Sequence, residues 1–224
     1  MLAVLTVQLV SGPSLVAAWA AEGASLAIVG ARARDRVAEL AALPFIAAAG
    51  AHALALEAPP SSLVQGPPDL GLAALALGAV AIAAGRAAWS SREPHVRLGL
   101  IAGEAATGLY LASIAIVAAF QPEAGALAPT LFDLGVRQEG QLVLSAFWAI
   151  AGVTVLLTGL RTKRRELRLG ALGLLGLAVG KVFVFDLATL TAGYRVASFL
   201  VLGLLLLAAG FAYERLRGDR AVAR

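Results

Sequence analysis

The chain has 224 residues, 60% of them hydrophobic and 14% charged, with a net charge of +4. A soluble domain carries about 45–50% apolar and about 25% charged residues, so one soluble core is excluded, whereas a bilayer can solvate such side chains. There is no cysteine, which excludes disulfides, thiol chemistry and cysteine-based metal sites.

Leu2 to Val10 is apolar but too short to span a bilayer. Ala18-Trp19-Ala20 has the small-x-small form of a cleavage site, yet no basic residue precedes the apolar run, as a signal peptide requires. Seven longer apolar segments follow: Ser14 to Ala31, Val37 to Glu57, Leu70 to Trp89, Val96 to Phe120, Gln141 to Leu160, Leu167 to Asp186 and Arg195 to Tyr213. About 20 mostly apolar residues cross a hydrocarbon core of about 30 Å. Lipid offers no partners to bare N–H and C=O groups, so the choice lies between helices and a closed barrel. A barrel needs short alternating strands; these runs of Ala, Leu, Gly and Val are unbroken. The fold class is therefore all-α, a polytopic transmembrane bundle of about seven spans forming a single domain over 1–224. Pro44 predicts a kink in the second helix.

The loops set the orientation. All but three of the 18 basic residues (Arg137, Lys181 and Arg195) cluster on one side, in alternate loops and the C-terminal tail. The positive-inside rule places that side in the cytoplasm, with the N-terminus out and the C-terminus in. This explains the positive charge without nucleic acid, which is not an expected partner. The outer loops, Ala58 to Ser62 and Gln121 to Gly140, carry prolines and acidic residues.

The chain also repeats itself. Trp19, Gly23, Gly30 and Arg32 recur 129 residues later as Trp148, Gly152, Gly159 and Arg161. The glycine pair alone recurs as Gly78 with Gly85 and as Gly203 with Gly210. Glycines seven apart share one helix face, and small residues let helices approach closely in lipid. The repeated helices run the same way, so the repeat is parallel, unlike the inverted repeats of many transporters. Gly99 with Gly103, and Gly176 with Gly180, add further small faces. These faces are expected to pack on the chain's own helices, on a second copy or on other membrane proteins.

A charge at mid-membrane costs about 2.5–3.5 kcal/mol on insertion scales. Glu22, Glu104 and Lys181 lie inside spans and form the candidate intramembrane polar site. By depth, Glu22 is the expected partner of Lys181, either as a structural pair or as part of an ion or proton relay; the alternative is a lysine snorkelling outward with Glu22 protonated. Lysine can lose its proton when buried and arginine cannot. Asp186 and Arg195 flank a short outer turn and are expected to pair at the interface. There is no phosphate-binding glycine loop, His-Glu-x-x-His, Gly-x-Ser-x-Gly or calcium loop. No catalytic, cofactor or metal residues are assigned, and no enzyme is expected.

Several of these residues form a pattern. Leu142 to Trp148, Arg168-Leu-Gly-Ala-Leu-Gly, Lys181-Val-Phe-Val-Phe-Asp186-Leu and Tyr194-Arg195-Val-Ala-Ser198-Phe199, with Gly203 and Tyr213, resemble a bacterial family of multi-pass membrane proteins filed as domain of unknown function 2339. Ser11-Gly-Pro and Trp19-Ala-Ala-Glu22-Gly23 also resemble its pattern, and Lys181 to Phe199 is the most specific block. The resemblance implies membrane location and a chain corresponding to the C-terminal portion of longer relatives, as a truncated or mis-started gene would give. It implies no activity, cofactor or catalytic residue. The expectation is a structural or assembly component of the bacterial inner membrane. The alternatives are a transporter or channel using Glu22, Glu104 and Lys181, or a membrane enzyme acting on a lipid-linked substrate.

Overall fold

A computed structural model describes residues 12–121, 138–186 and 192–222, with side chains described through residue 211 except that of Ala209. The stretch Leu2 to Val10, most of the loop expected over 121–140, and the side chains of Tyr213 and the C-terminal arginines lie outside the described residues. Every element is helical: α1 (Pro13–Ala33), α2 (Arg36–His52), α3 (Leu70–Ser90), α4 (Pro94–Ala119), α5 (Gln138–Arg161), α6 (Arg165–Lys181) and α7 (Ala192–Val222). A single helical turn, Ser62–Gln65, lies between α2 and α3. Six helices are long and apolar enough to cross a membrane, counting α2 and α6 through to Glu57 and Asp186; a shorter apolar helix, Ala192–Ala208, occupies the place of the seventh span.

The chain divides into two compact units, Met1–Ala118 and Ala119–Arg224. In the first, α1 packs against both α2 and α3; in the second, α5 packs against both α6 and α7. The first core is built largely of alanine, including Ala20, Ala42, Ala49, Ala73 and Ala76, around Leu77. Small side chains bring helix backbones close, which is the main attraction open to helices already solvated by lipid. Large apolar side chains face outward, among them Leu75, Ile82 and Trp89. Patches of this kind would drive a soluble protein to associate; in a bilayer they meet acyl chains.

Local chemistry fixes the helix ends. Gly12 adopts a positive φ of 66° just before Pro13, which starts α1 at the position where a missing N–H costs nothing. Arg34 closes α1 in the left-handed conformation. Asp35 then caps α2, accepting from Val37 N at 2.9 Å. Asp69 caps α3 by accepting from Leu72 N at 2.9 Å. Helix α2 runs unbroken through Pro44, and its departure from α geometry comes later, in a π turn at Ala53–Glu57.

The repeat seen in the sequence is a repeat of structure. Adding 129 to α2 and its π turn (Arg36–His52, Ala53–Glu57) gives α6 and its π turn (Arg165–Lys181, Val182–Asp186). The glycine contacts follow the same offset. A Cβ on Gly23 would lie 2.7 Å from Ile46 Cγ1, and one on Gly152 would lie 2.8 Å from Leu175 Cδ2. A Cβ on Gly30 would lie 2.6 Å from the backbone N of Glu39, and one on Gly159 would lie 3.0 Å from that of Arg168. Both hairpins therefore close over a glycine pair. The other glycine faces differ: nothing lies within 4 Å of a Cβ added to Gly78, Gly99, Gly103, Gly176, Gly180, Gly203 or Gly210, while Gly85 seats the Glu104 carboxylate.

Candidate intramembrane polar site

Helix α6 ends at Lys181 and continues as a π turn to Asp186. In an α-helix, residues five apart point about 140° away from each other. A π turn bonds i to i+5 and so brings such residues together, and such turns recur at functional positions. Lys181 Nζ accordingly lies 2.8 Å from Asp186 Oδ1. The side chains are 9% and 1% exposed, so the pair is removed from lipid and water alike.

Helix α5 completes the site. The α5–α6 hairpin runs antiparallel, with Gly159 beside Arg168 and Gly152 beside Leu175. Continuing that register toward the end of α6 places Ser145 beside Lys181. Lys181 Nζ donates to Ser145 Oγ at 2.8 Å and to the Gln141 carbonyl at 3.1 Å. Ser145 Oγ lies 2.7 Å from Asp186 Oδ2 and 3.0 Å from its own Gln141 carbonyl. A hydroxyl has one proton, and the shorter, charge-assisted contact to Asp186 takes it. An ammonium has three donors, and all three are used.

The network is a closed, neutral clamp between α5 and the end of α6. Beside it, Leu142, Ser145, Ala146, Ser198, Val201 and Leu202 come together with no room for a water molecule between them. The buried Ser198 hydroxyl has no hydrogen-bond partner among the described residues. At the same end of the unit, Tyr194 donates to Glu139 Oε1 at 3.0 Å, tying the start of α7 to the start of α5.

The sequence pointed to these residues but paired them differently. The carboxylate that meets Lys181 is Asp186, which had been matched with Arg195. Glu22, the partner chosen by depth, belongs to the other compact unit, and its structural role there is not part of the Lys181 network. Glu104 is exposed on α4 with its carboxylate over Gly85. Arg195 is half-buried near the start of α7. Ser145 and the Gln141 carbonyl were missed, although two polar residues four apart at the depth of Lys181 were a readable signal.

The first unit carries the counterpart of the site without its ion pair. His52 stands for Lys181, Glu57 for Asp186 and Val16 for Ser145. His52 instead meets Trp19 edge to face, with ring centroids 5.9 Å apart. The end of this π turn is held from α4, where Tyr110 Oη lies 2.8 Å from both the Ala58 and Pro59 carbonyls.

Six apolar spans, their lipid-facing side chains and a charge pair sealed inside one helical unit define a multi-pass α-helical membrane protein. Residues 126–216 match the family described as predicted membrane protein (DUF2339), a stretch that contains the whole Lys181 network. No curated protein and no solved structure matches the chain.

Proposed function

We propose that the protein is a structural or assembly component of the bacterial inner membrane, with its arginine-rich end in the cytoplasm, and that it performs no catalysis. The observation that carries this reading is the saturation of Lys181, whose three donors are taken by Gln141, Ser145 and Asp186. A relay needs a group that can give up or accept an ion and a path to it. Lys181 is instead committed to holding two helices together. The glycine-seated hairpins support the same reading, because both units invest their close contacts in rigid helix pairing.

The test is reconstitution into vesicles loaded with a pH-sensitive dye. The scaffold reading expects proton leak equal to that of protein-free vesicles, for the native chain and for Lys181→Met alike. A leak present in the native chain and abolished by Lys181→Met would replace this reading with the transporter one.

A further inference from the structure

The two units use the same groove differently. In the first, the arginine-rich end of the α1–α2 hairpin forms a groove around Ala27, Arg36, Glu39, Leu40 and Leu43, and the start of α4 lies in it through Glu93, Val96 and Leu100. The space left is about 10 Å³. In the second unit the corresponding positions are Leu156, Arg165, Arg168, Leu169 and Leu172, joined by Leu206 of α7. Here the groove is open, with about 590 Å³ of space.

The charges change with the occupancy. The first unit supplies three carboxylates at this end: Asp35 caps α2, Glu39 lines the groove, and Glu93 pairs with Arg36 at 3.3 Å. The same offset turns Asp35 into Arg164, Glu39 into Arg168 and Glu93 into Val222. Three consequences follow. Helix α6 starts without a side-chain cap hydrogen bond, and the one carboxylate in its first turn is Glu166. Neither Arg165 nor Arg168 has a carboxylate partner among the described residues. The Arg168 Nε is buried without a hydrogen-bond partner among them, its stem held against Gly159.

We propose that this groove binds an anionic phospholipid. The phosphate sits between Arg165, Arg168 and the uncapped first turn of α6, and one acyl chain lies along Leu156, Leu169, Leu172 and Leu206. Arginine forks match phosphate oxygens, and basic pockets between transmembrane helices take anionic head groups. A lipid fits better than a second protein helix because one small wall residue of the occupied groove is large in the open one. Helices in lipid associate over small residues, and Ala27, on the wall of the occupied groove, becomes Leu156 in the open one. The inference concerns binding, and it holds whether the protein is a scaffold or a transporter.

The test uses the full chain in mild detergent. Native mass spectrometry and thermal unfolding compare phosphatidylglycerol with phosphatidylcholine of identical acyl chains. Selective retention and stabilisation by phosphatidylglycerol are expected. The double variant Arg165→Gln/Arg168→Gln is expected to lose that selectivity by roughly tenfold or more. Leu172→Trp, which keeps both arginines and fills the groove, is expected to weaken retention as well, so the conclusion does not hang on one variant folding. Arg32→Gln/Arg34→Gln, at the same end of the first unit, is expected to keep the selectivity. Equal binding of the two lipids, selectivity surviving the Arg165/Arg168 change, or equal stabilisation by inorganic phosphate alone would overturn the proposal. So would a dimer that Leu172→Trp dissociates while phosphatidylglycerol binding persists.

Discussion

Lys181 and Asp186 are five residues apart in sequence and 2.8 Å apart in space, and the π turn between them is what joins them. Ser145 spans the pair from the neighbouring helix, accepting from Lys181 and donating to Asp186. Removing its hydroxyl leaves one donor and one acceptor short in a buried site. Ser145→Ala is expected to cost roughly 1.5–3 kcal/mol, the range for hydrogen bonds to charged groups. Equilibrium unfolding in detergent or bicelles measures it. Ser145→Val, which copies Val16 of the first unit, is expected to cost at least as much.

The glycines separate into two classes that substitution distinguishes. Gly30→Ala puts a methyl group 2.6 Å from the Glu39 backbone N, which cannot move aside as a side chain can. Gly23→Ala and Gly152→Ala meet Ile46 and Leu175 at 2.7 and 2.8 Å. Each is expected to destabilise by about 1–3 kcal/mol, the usual cost of overpacking, with Gly30→Ala at the top of the range. Gly99→Ala, Gly176→Ala and Gly203→Ala have open space and are expected to be neutral or slightly stabilising. A thermal-shift series across these six variants checks the division.

Tyr110 fastens α4 to the end of the first π turn through its hydroxyl. Tyr110→Phe keeps the ring and removes the bonds to the Ala58 and Pro59 carbonyls. The expected loss is about 1 kcal/mol, with faster amide exchange confined to the Ala58–Gln65 region. Exchange read by mass spectrometry would show it.

The absence of cysteine makes orientation directly measurable. Single cysteines at Arg34 and at Ser61 can be labelled in intact cells with a reagent that does not cross the membrane. The charge pattern expects Ser61→Cys to label from outside and Arg34→Cys to label only after the membrane is opened. The reverse pattern would invert the topology.

Much of this fold was legible because lipid is a demanding solvent. Apolar runs of spanning length and arginine-rich turns placed six of the helices within about three residues of their observed ends, as boundary arguments allow. Helix α7 was the exception: it continues to Val222, past the expected end at Tyr213, because its polar tail keeps helical geometry beyond the apolar stretch. The polar site was half legible. Lys181 and Asp186 were each singled out, but depth matched Lys181 with Glu22 and the short outer turn matched Asp186 with Arg195. A π turn changes which side chains are neighbours without changing the hydropathy that reveals the helix. The repeat held the missing clue. Carried past Gly159 to the end of the hairpin, its offset aligns His52 with Lys181 and Glu57 with Asp186.

The central claim is that Lys181 and Asp186 form a closed structural clamp, and a double-mutant cycle on unfolding stability tests it most directly. Removing one partner of a buried pair strands the other charge, which typically costs about 3–5 kcal/mol, whereas replacing both with well-packed apolar groups is often close to neutral. Lys181→Met and Asp186→Leu are therefore each expected to destabilise by that amount, and the double variant to recover most of the loss. Costs that simply add in the double variant, or single variants as stable as the native chain, would contradict the clamp.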